Sequence, residues 1–254
     1  MTARLSTGAR NGLVGPLGLT GLFNKCIVNI YSGTQPVNAD AAVTGTLLGT
    51  VTLGSGAYTA ETQATGTFTV TGTTGSVTAL TVGGFDIIGD CDVAYNTSAV
   101  QTASDLADAV NRNGVYSATV SGAVVTVKPR SGVGASHNGY VLASAGVLTV
   151  TYVAMAGGIA AVNGLVFGQP LVGVLNKPAS QVWGFNGIAA GTAGWYRVTA
   201  SVADGGAAVS AAPYLARMDG AIATSGAEMA LSNITIAVNA PNTIDVFSFT
   251  MPAQ

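Results

Sequence analysis

The sequence predicts a mainly β protein, a β-sandwich of immunoglobulin-like or jelly-roll-like type carrying a small inserted α+β domain. Three observations lead there. Short runs of alternating apolar and polar residues, broken by Gly, Asn and Pro, recur along the 254 residues. One convincing helix falls in a middle stretch whose texture differs from both ends. Charged residues make up only 8% of the chain and glycines number 35, whereas soluble domains are about 25% charged. Disorder would also accommodate the glycines, but disordered chains are charged and poor in β-branched residues, and this one is neither.

Taken in order, Leu5 to Phe23 carries spaced apolar residues among glycines, which fits a short helix or a clamped arm. Cys26 to Tyr31 reads as a strand, turned by Ser32-Gly33-Thr34-Gln35-Pro36. Asn38 to Val43 fits a loop or a single helical turn, and Leu47 to Leu53 is the next strand. The texture then changes. Thr67 to Thr71 and Val77 to Val82 alternate cleanly, and a helix follows with Thr102 as N-cap and Asp105 three residues on. Leu106, Ala109 and Val110 give that helix its apolar face, and Asn113-Gly114 stops it. Tyr116 to Val120 and Val124 to Lys128 form a hairpin about Ser121-Gly122, and Tyr140 to Ala143 and Val147 to Tyr152 complete the unit. Residues 64–158 are therefore read as the inserted domain, and 1–63 with 159–254 as the outer sandwich. Beyond Gly158 the strands are Gln181 to Phe185, Gly194 to Ala200, Tyr214 to Met218, Ile234 to Val238 and Ile244 to Phe249.

Composition excludes several functions. A net charge of −2 with only 9 Lys and Arg gives no basic stripe for nucleic acid. Glycines and Pro170 interrupt the weakly polar stretch from Val147 to Leu175, so no membrane span is expected. The N-terminus has neither the basic segment nor the apolar core of a signal peptide. Cys26 and Cys91 match no metal spacing and read as two isolated buried thiols, a disulfide between them being the unsupported alternative.

No catalytic, metal or cofactor site is predicted. His137 is the only histidine and sits in a Gly- and Ser-rich loop without a nucleophile elbow. Asp86, Asp90 and Asp92 are the densest acidic group, but their spacing departs from a Ca²⁺ loop. Gly132-Val133-Gly134 lacks the Lys-Ser/Thr of a phosphate loop, and turn chemistry accounts for it. Trp183, Phe185, Trp195 and Tyr196 read first as the core of neighbouring strands. Their functional alternative is an aromatic interface for a sugar or a partner subunit.

The outer segments also carry a resemblance. Leu5-Ser6-Thr7-Gly8-Ala9-Arg10-Asn11, Ile30 to Pro36, Asp40-Ala41-Ala42 and Leu47-Leu48-Gly49-Thr50-Val51 supply its first half. Gly194-Trp195-Tyr196-Arg197, Met218-Asp219-Gly220 and Ile244 to Ala253 supply the second. This pattern resembles a family of small structural proteins of tailed-phage virions. The inserted unit, through Thr67 to Thr71, Ile87-Ile88-Gly89, Asn96-Thr97-Ser98 and Thr102 to Ala107, resembles a module of other virion proteins. The resemblance implies a virion component assembled in the host cytoplasm, with capsid, portal-region or tail proteins as partners. It fixes no catalytic residue and leaves head decoration, collar and tail open. The low charge independently suggests a homo-oligomer. Two functions therefore compete: a decoration, cement or collar protein, and a tail-associated or surface module that recognises host glycans.

Overall fold

The computed structural model describes residues 3–15, 17–209 and 215–251. It is mainly β, with 42% strand and 13% helix. The chain divides into two compact units. Met1–Val14, Gly18–Glu61 and Ala161–Gln254 form the first, and Thr62–Ala160 with Gly15–Leu17 form the second.

The first unit opens with β1 (Arg4–Leu5), α1 (Thr7–Val14) and α2 (Leu19–Leu22), so the stretch read as a helix or an arm holds two short helices. A distant carboxylate starts α1. Asp40 accepts the Thr7 N–H at 2.9 and 3.0 Å and the Thr7 hydroxyl at 2.8 Å. Free N–H groups and the helix dipole favour an anion at that end. Strands β2 (Ile27–Ser32) and β3 (Leu47–Leu53) follow.

The second unit contains β4 (Thr65–Val70), β5 (Ser76–Val82), β6 (Phe85–Asp86), β7 (Val93–Ala94), α3 (Ala99–Asn113), β8 (Tyr116–Ser121), β9 (Val124–Pro129), β10 (Leu142–Gly146) and β11 (Val150–Ala156). One antiparallel sheet runs β11-β4-β9-β8, and another runs β10-β5-β6 with β7 also on β5. Helix α3 begins earlier than the sequence suggested. Ser98, not Thr102, is the N-cap, its hydroxyl accepting the Gln101 N–H at 3.1 Å. Thr102 is buried inside the helix and donates to the Ser98 carbonyl at 2.9 Å. The expected end is met by Gly114, whose φ of 75° is the left-handed conformation that closes a helix. Ala103, Leu106, Ala107 and Val110 recur at helical spacing and are buried against Phe68, Leu80 and Val127 in one core.

The chain then returns to the first unit through β12 (Val174–Asn176), β13 (Trp183–Asn186), β14 (Gly191–Thr199), β15 (Arg217–Ala223), β16 (Met229–Leu231), β17 (Thr235–Ile236) and β18 (Pro241–Thr250). Tyr214, Pro252 and Ala253, which the sequence reading included, lie outside the described residues. The ladders run β15-β16-β18-β13-β3-β2-β14 and back to β15. This ring is a seven-strand barrel, where the sequence suggested two facing sheets. Long-range pairings account for the difference. Long β14 pairs with β2 on one side and β15 on the other, while β13 joins β3 to β18. These are the edges that an open sandwich would leave unpaired, and closure removes them. Val28, Ile30, Trp183, Phe185, Tyr196, Val198 and Phe247 are buried in this unit. Gly220 is required beside them, because any side chain there would run into the Tyr196 hydroxyl.

Candidate functional site

Alternation along β14 sends its residues to opposite faces of the barrel wall. Tyr196 packs against Phe247 with ring centres 5.4 Å apart, and Trp183 meets Phe247 at 5.9 Å and Phe167 at 5.2 Å. Trp195, Arg197 and Thr199 take the other face. Arg197 stands opposite Asp219 on β15 and Asn29 on β2.

Arg197 and Asp219 form a two-pronged pair, Nε to Oδ1 and Nη2 to Oδ2, each at 2.7 Å. Arg197 Nη1 donates to the Ala41 carbonyl at 3.0 Å. The guanidinium lies 5.5 Å from the centre of the Trp195 ring, which stacks on Tyr31 at 4.5 Å. Arg217, on the same face of β15, makes a second such pair with Asp204 at 2.7 and 2.6 Å. All four side chains are buried.

Loops close over this layer. Asp204 accepts the Gly206 N–H at 2.8 Å, and the Gly206 carbonyl accepts the Val43 N–H at 2.9 Å. Ser6 Oγ accepts the Arg217 N–H and donates to the Leu215 carbonyl, both at 2.8 Å. Burial pushes the Asp219 carboxyl above its usual range, and the bonded Arg197 opposes that push.

A cleft of about 300 Å³ opens beside the pairs, lined by Asn29, Tyr31, Leu47, Arg197, Thr199 and Asp204 among others. Its charges are internally compensated. The Thr199 hydroxyl is buried and is not presented to the opening. Chemically the arrangement is a clamp that ties helix α1 and two loops to the barrel. Among the described residues no group of three or more His, Cys, Asp or Glu is placed to hold a metal.

The four aromatic residues singled out in the sequence are all buried. Trp183, Phe185 and Tyr196 are core residues, and Trp195 lies under the ionic layer. They present no open aromatic surface, because the barrel interior takes three and the covering loops enclose the fourth. His137 ends a 3₁₀ turn at Gly134–His137, its ring 5.7 Å from Tyr116 and 4.8 Å from Tyr140. With half-exposed Phe85 stacked on Tyr116 at 6.5 Å, these rings form a row that the sequence reading missed. Asp86 serves a turn, accepting the N–H groups of Leu80 at 3.2 Å and Ile88 at 3.1 Å. Cys26 and Cys91 are both free thiols, and burial pushes Cys26 up.

The paired Arg and Asp residues were also missed as a site. Their signal was a single charge inside an apolar strand, as in Tyr196-Arg197-Val198 and Met218-Asp219-Gly220. In a chain this poor in charge, such a residue calls for a buried partner. No family model matches the chain, and no curated protein or solved structure matches it either.

Proposed function

We propose that the protein is a non-enzymatic structural component of a tailed-phage particle, a head decoration, cement or head–tail collar protein. It works by contact with other virion proteins and with copies of itself. The virion assignment rests on the resemblance of the outer segments. Several of those segments meet around the ionic layer: Ser6 on Arg217, Thr7 on Asp40, Ala41 on Arg197, and Arg197 on Asp219.

The observation that carries the contact role is a bare apolar tip. Leu171 and Val174 bond each other reciprocally at 3.0 and 2.9 Å around Val172-Gly173. Both turn residues have positive φ, 51° for Val172 and 73° for Gly173. Asn-Gly suits that geometry, whereas a β-branched residue there is strained by about 1–2 kcal/mol. Yet Leu171 is 73% and Val172 90% exposed. A strained, exposed apolar residue gains nothing within its own fold, and a partner surface that covers it supplies the reason. Val172→Asn should raise the melting temperature of the isolated protein and lower its incorporation into particles. Undiminished incorporation would remove this support.

A second reading, a tail-associated or surface module for host glycans, draws on the half-exposed ring of Tyr140 beside His137 and on half-exposed Phe85 stacked on Tyr116. Glycan-array binding by the wild type that Tyr140→Ala abolishes would favour it.

A further inference from the structure

The β11-β4-β9-β8 sheet of the second unit ends on two edge strands, β8 and β11, and they are treated differently. In the β8–β9 hairpin Ser121 faces Val124 across a two-residue turn, so Tyr116, Ala118 and Val120 direct their backbone groups away from β9. Asn111 of α3 meets the middle one. Its Oδ1 accepts the Ala118 N–H at 2.9 Å, and its Nδ2 donates to the Ala118 carbonyl at 3.1 Å. A side-chain amide stands where another strand would bond.

Strand β11 has no such cover. The Thr149 carbonyl accepts the N–H groups of Thr71 and Gly72, so Thr149, Thr151 and Val153 face β4 and Tyr152 turns its backbone outward. Among the described residues, no loop or side chain bonds the edge at Tyr152; cover resumes at Met155, which exchanges hydrogen bonds with Gly139 and Tyr140 at 2.7 and 3.0 Å. The core face is unfinished at the same place. Tyr152 stands opposite fully buried Phe68, with ring centres 6.1 Å apart, yet is 45% exposed; Val153, on the other face of the sheet opposite Thr67, is 64% exposed. Natural edge strands are usually guarded by charge or proline, and Val-Thr-Tyr-Val-Ala-Met-Ala has neither.

We propose that β11 pairs antiparallel with β11 of a second copy through the open edge around Tyr152. A second copy fits for three reasons. One open edge is enough for a self-complementary two-fold contact that closes on itself. Asn111 occupies β8, which leaves β11 as the matching edge. The strand is uncharged and the chain carries only −2 overall, so bringing two copies together sets no like charges opposite each other. The added strand covers Tyr152 and completes the core face. This inference stands apart from the virion reading and does not depend on it.

The test is light scattering of the full chain over a concentration series, paired with amide hydrogen exchange. The wild type should dimerise, and the Tyr152 amide should gain protection as the dimer forms, while that of Ala118 is protected throughout. Val153→Lys sets like charges on one face across the pair and should weaken the dimer about two- to five-fold, with circular dichroism unchanged because Val153 is exposed. A wild type that stays monomeric with a fast-exchanging Tyr152 amide would overturn the proposal. So would a dimer that Val153→Lys leaves intact or in which Tyr152 stays unprotected. Absence of the chain from particles would refute the virion reading and leave this contact untouched.

Discussion

Arg197 and Asp219 face each other across β14 and β15, shut away from water with Arg217 and Asp204 beside them. Such pairs add little net stability over an apolar replacement, because desolvation offsets most of the attraction. Losing one partner is another matter. Asp219→Ala strands a buried guanidinium and should cost about 3–5 kcal/mol in urea unfolding, and the Asp219→Leu/Arg197→Met double variant should recover much of that loss. A double variant no more stable than the single one would mean that packing, not charge, sets the cost. His137 tests the electrostatics elsewhere. Burial first, and nearby Arg130 second, lower its pKa from 6.5. The folded chain therefore holds fewer protons than the unfolded one between the two values. The resulting stability is complete above pH 6.5 and is lost as the pH falls toward the folded pKa. An NMR titration of the single imidazole should show its midpoint below 6.5; a midpoint at or above it would contradict the packing seen around the ring. Residue identity made the aromatic core legible in the sequence. It left the ionic layer unread, since the partners of Arg197 sit on other strands.

Helix α3 was legible because its apolar spacing and its closing glycine are local signals, but its start was misplaced. Thr102 followed by Asp105 imitates a cap, while the true cap, Ser98, carries an equivalent signal one turn earlier in Gln101, three positions on. The strands were found with shifted ends for a similar reason: ladder partners, not local pattern, decide where pairing stops. Arg217–Ala223 is one case, since its register is set by β14 and β1. Nothing local announces that Asn111 covers an edge strand. Asn111→Ala removes both hydrogen bonds to Ala118 and should cost about 1–3 kcal/mol. It should also open β8, and concentration-dependent association beyond the wild type, read by light scattering, is the expected sign. Wild-type stability and solution behaviour would show that the amide contributes nothing as a cover.

Barrel closure lay beyond the sequence because it depends on pairings between distant segments, β13 with β3 and β14 with β2. In the sequence a change in residue texture near 64 and 158 marks the expected insert, and the chain divides into compact units at Glu61/Thr62 and Ala160/Ala161. Strand β3 ends with Leu53 opposite Trp183, so the first unit joins its segments through its own ladders. Replacing residues 64–158 with a short Gly/Ser linker should therefore leave a soluble chain with one cooperative thermal transition, and an unfolded product would mean that the units share a core. The claim on which the proposed function depends is that this chain is built into a tailed-phage particle as a protein-contact component. Cryo-electron microscopy of purified particles tests it most directly. The account predicts barrel density at fixed copy number on the head, at the head–tail junction or on the tail, with Leu171 and Val172 covered by a neighbouring subunit. Particles without the chain, or a bound chain whose Leu171–Val172 tip stands free in solvent, would contradict it.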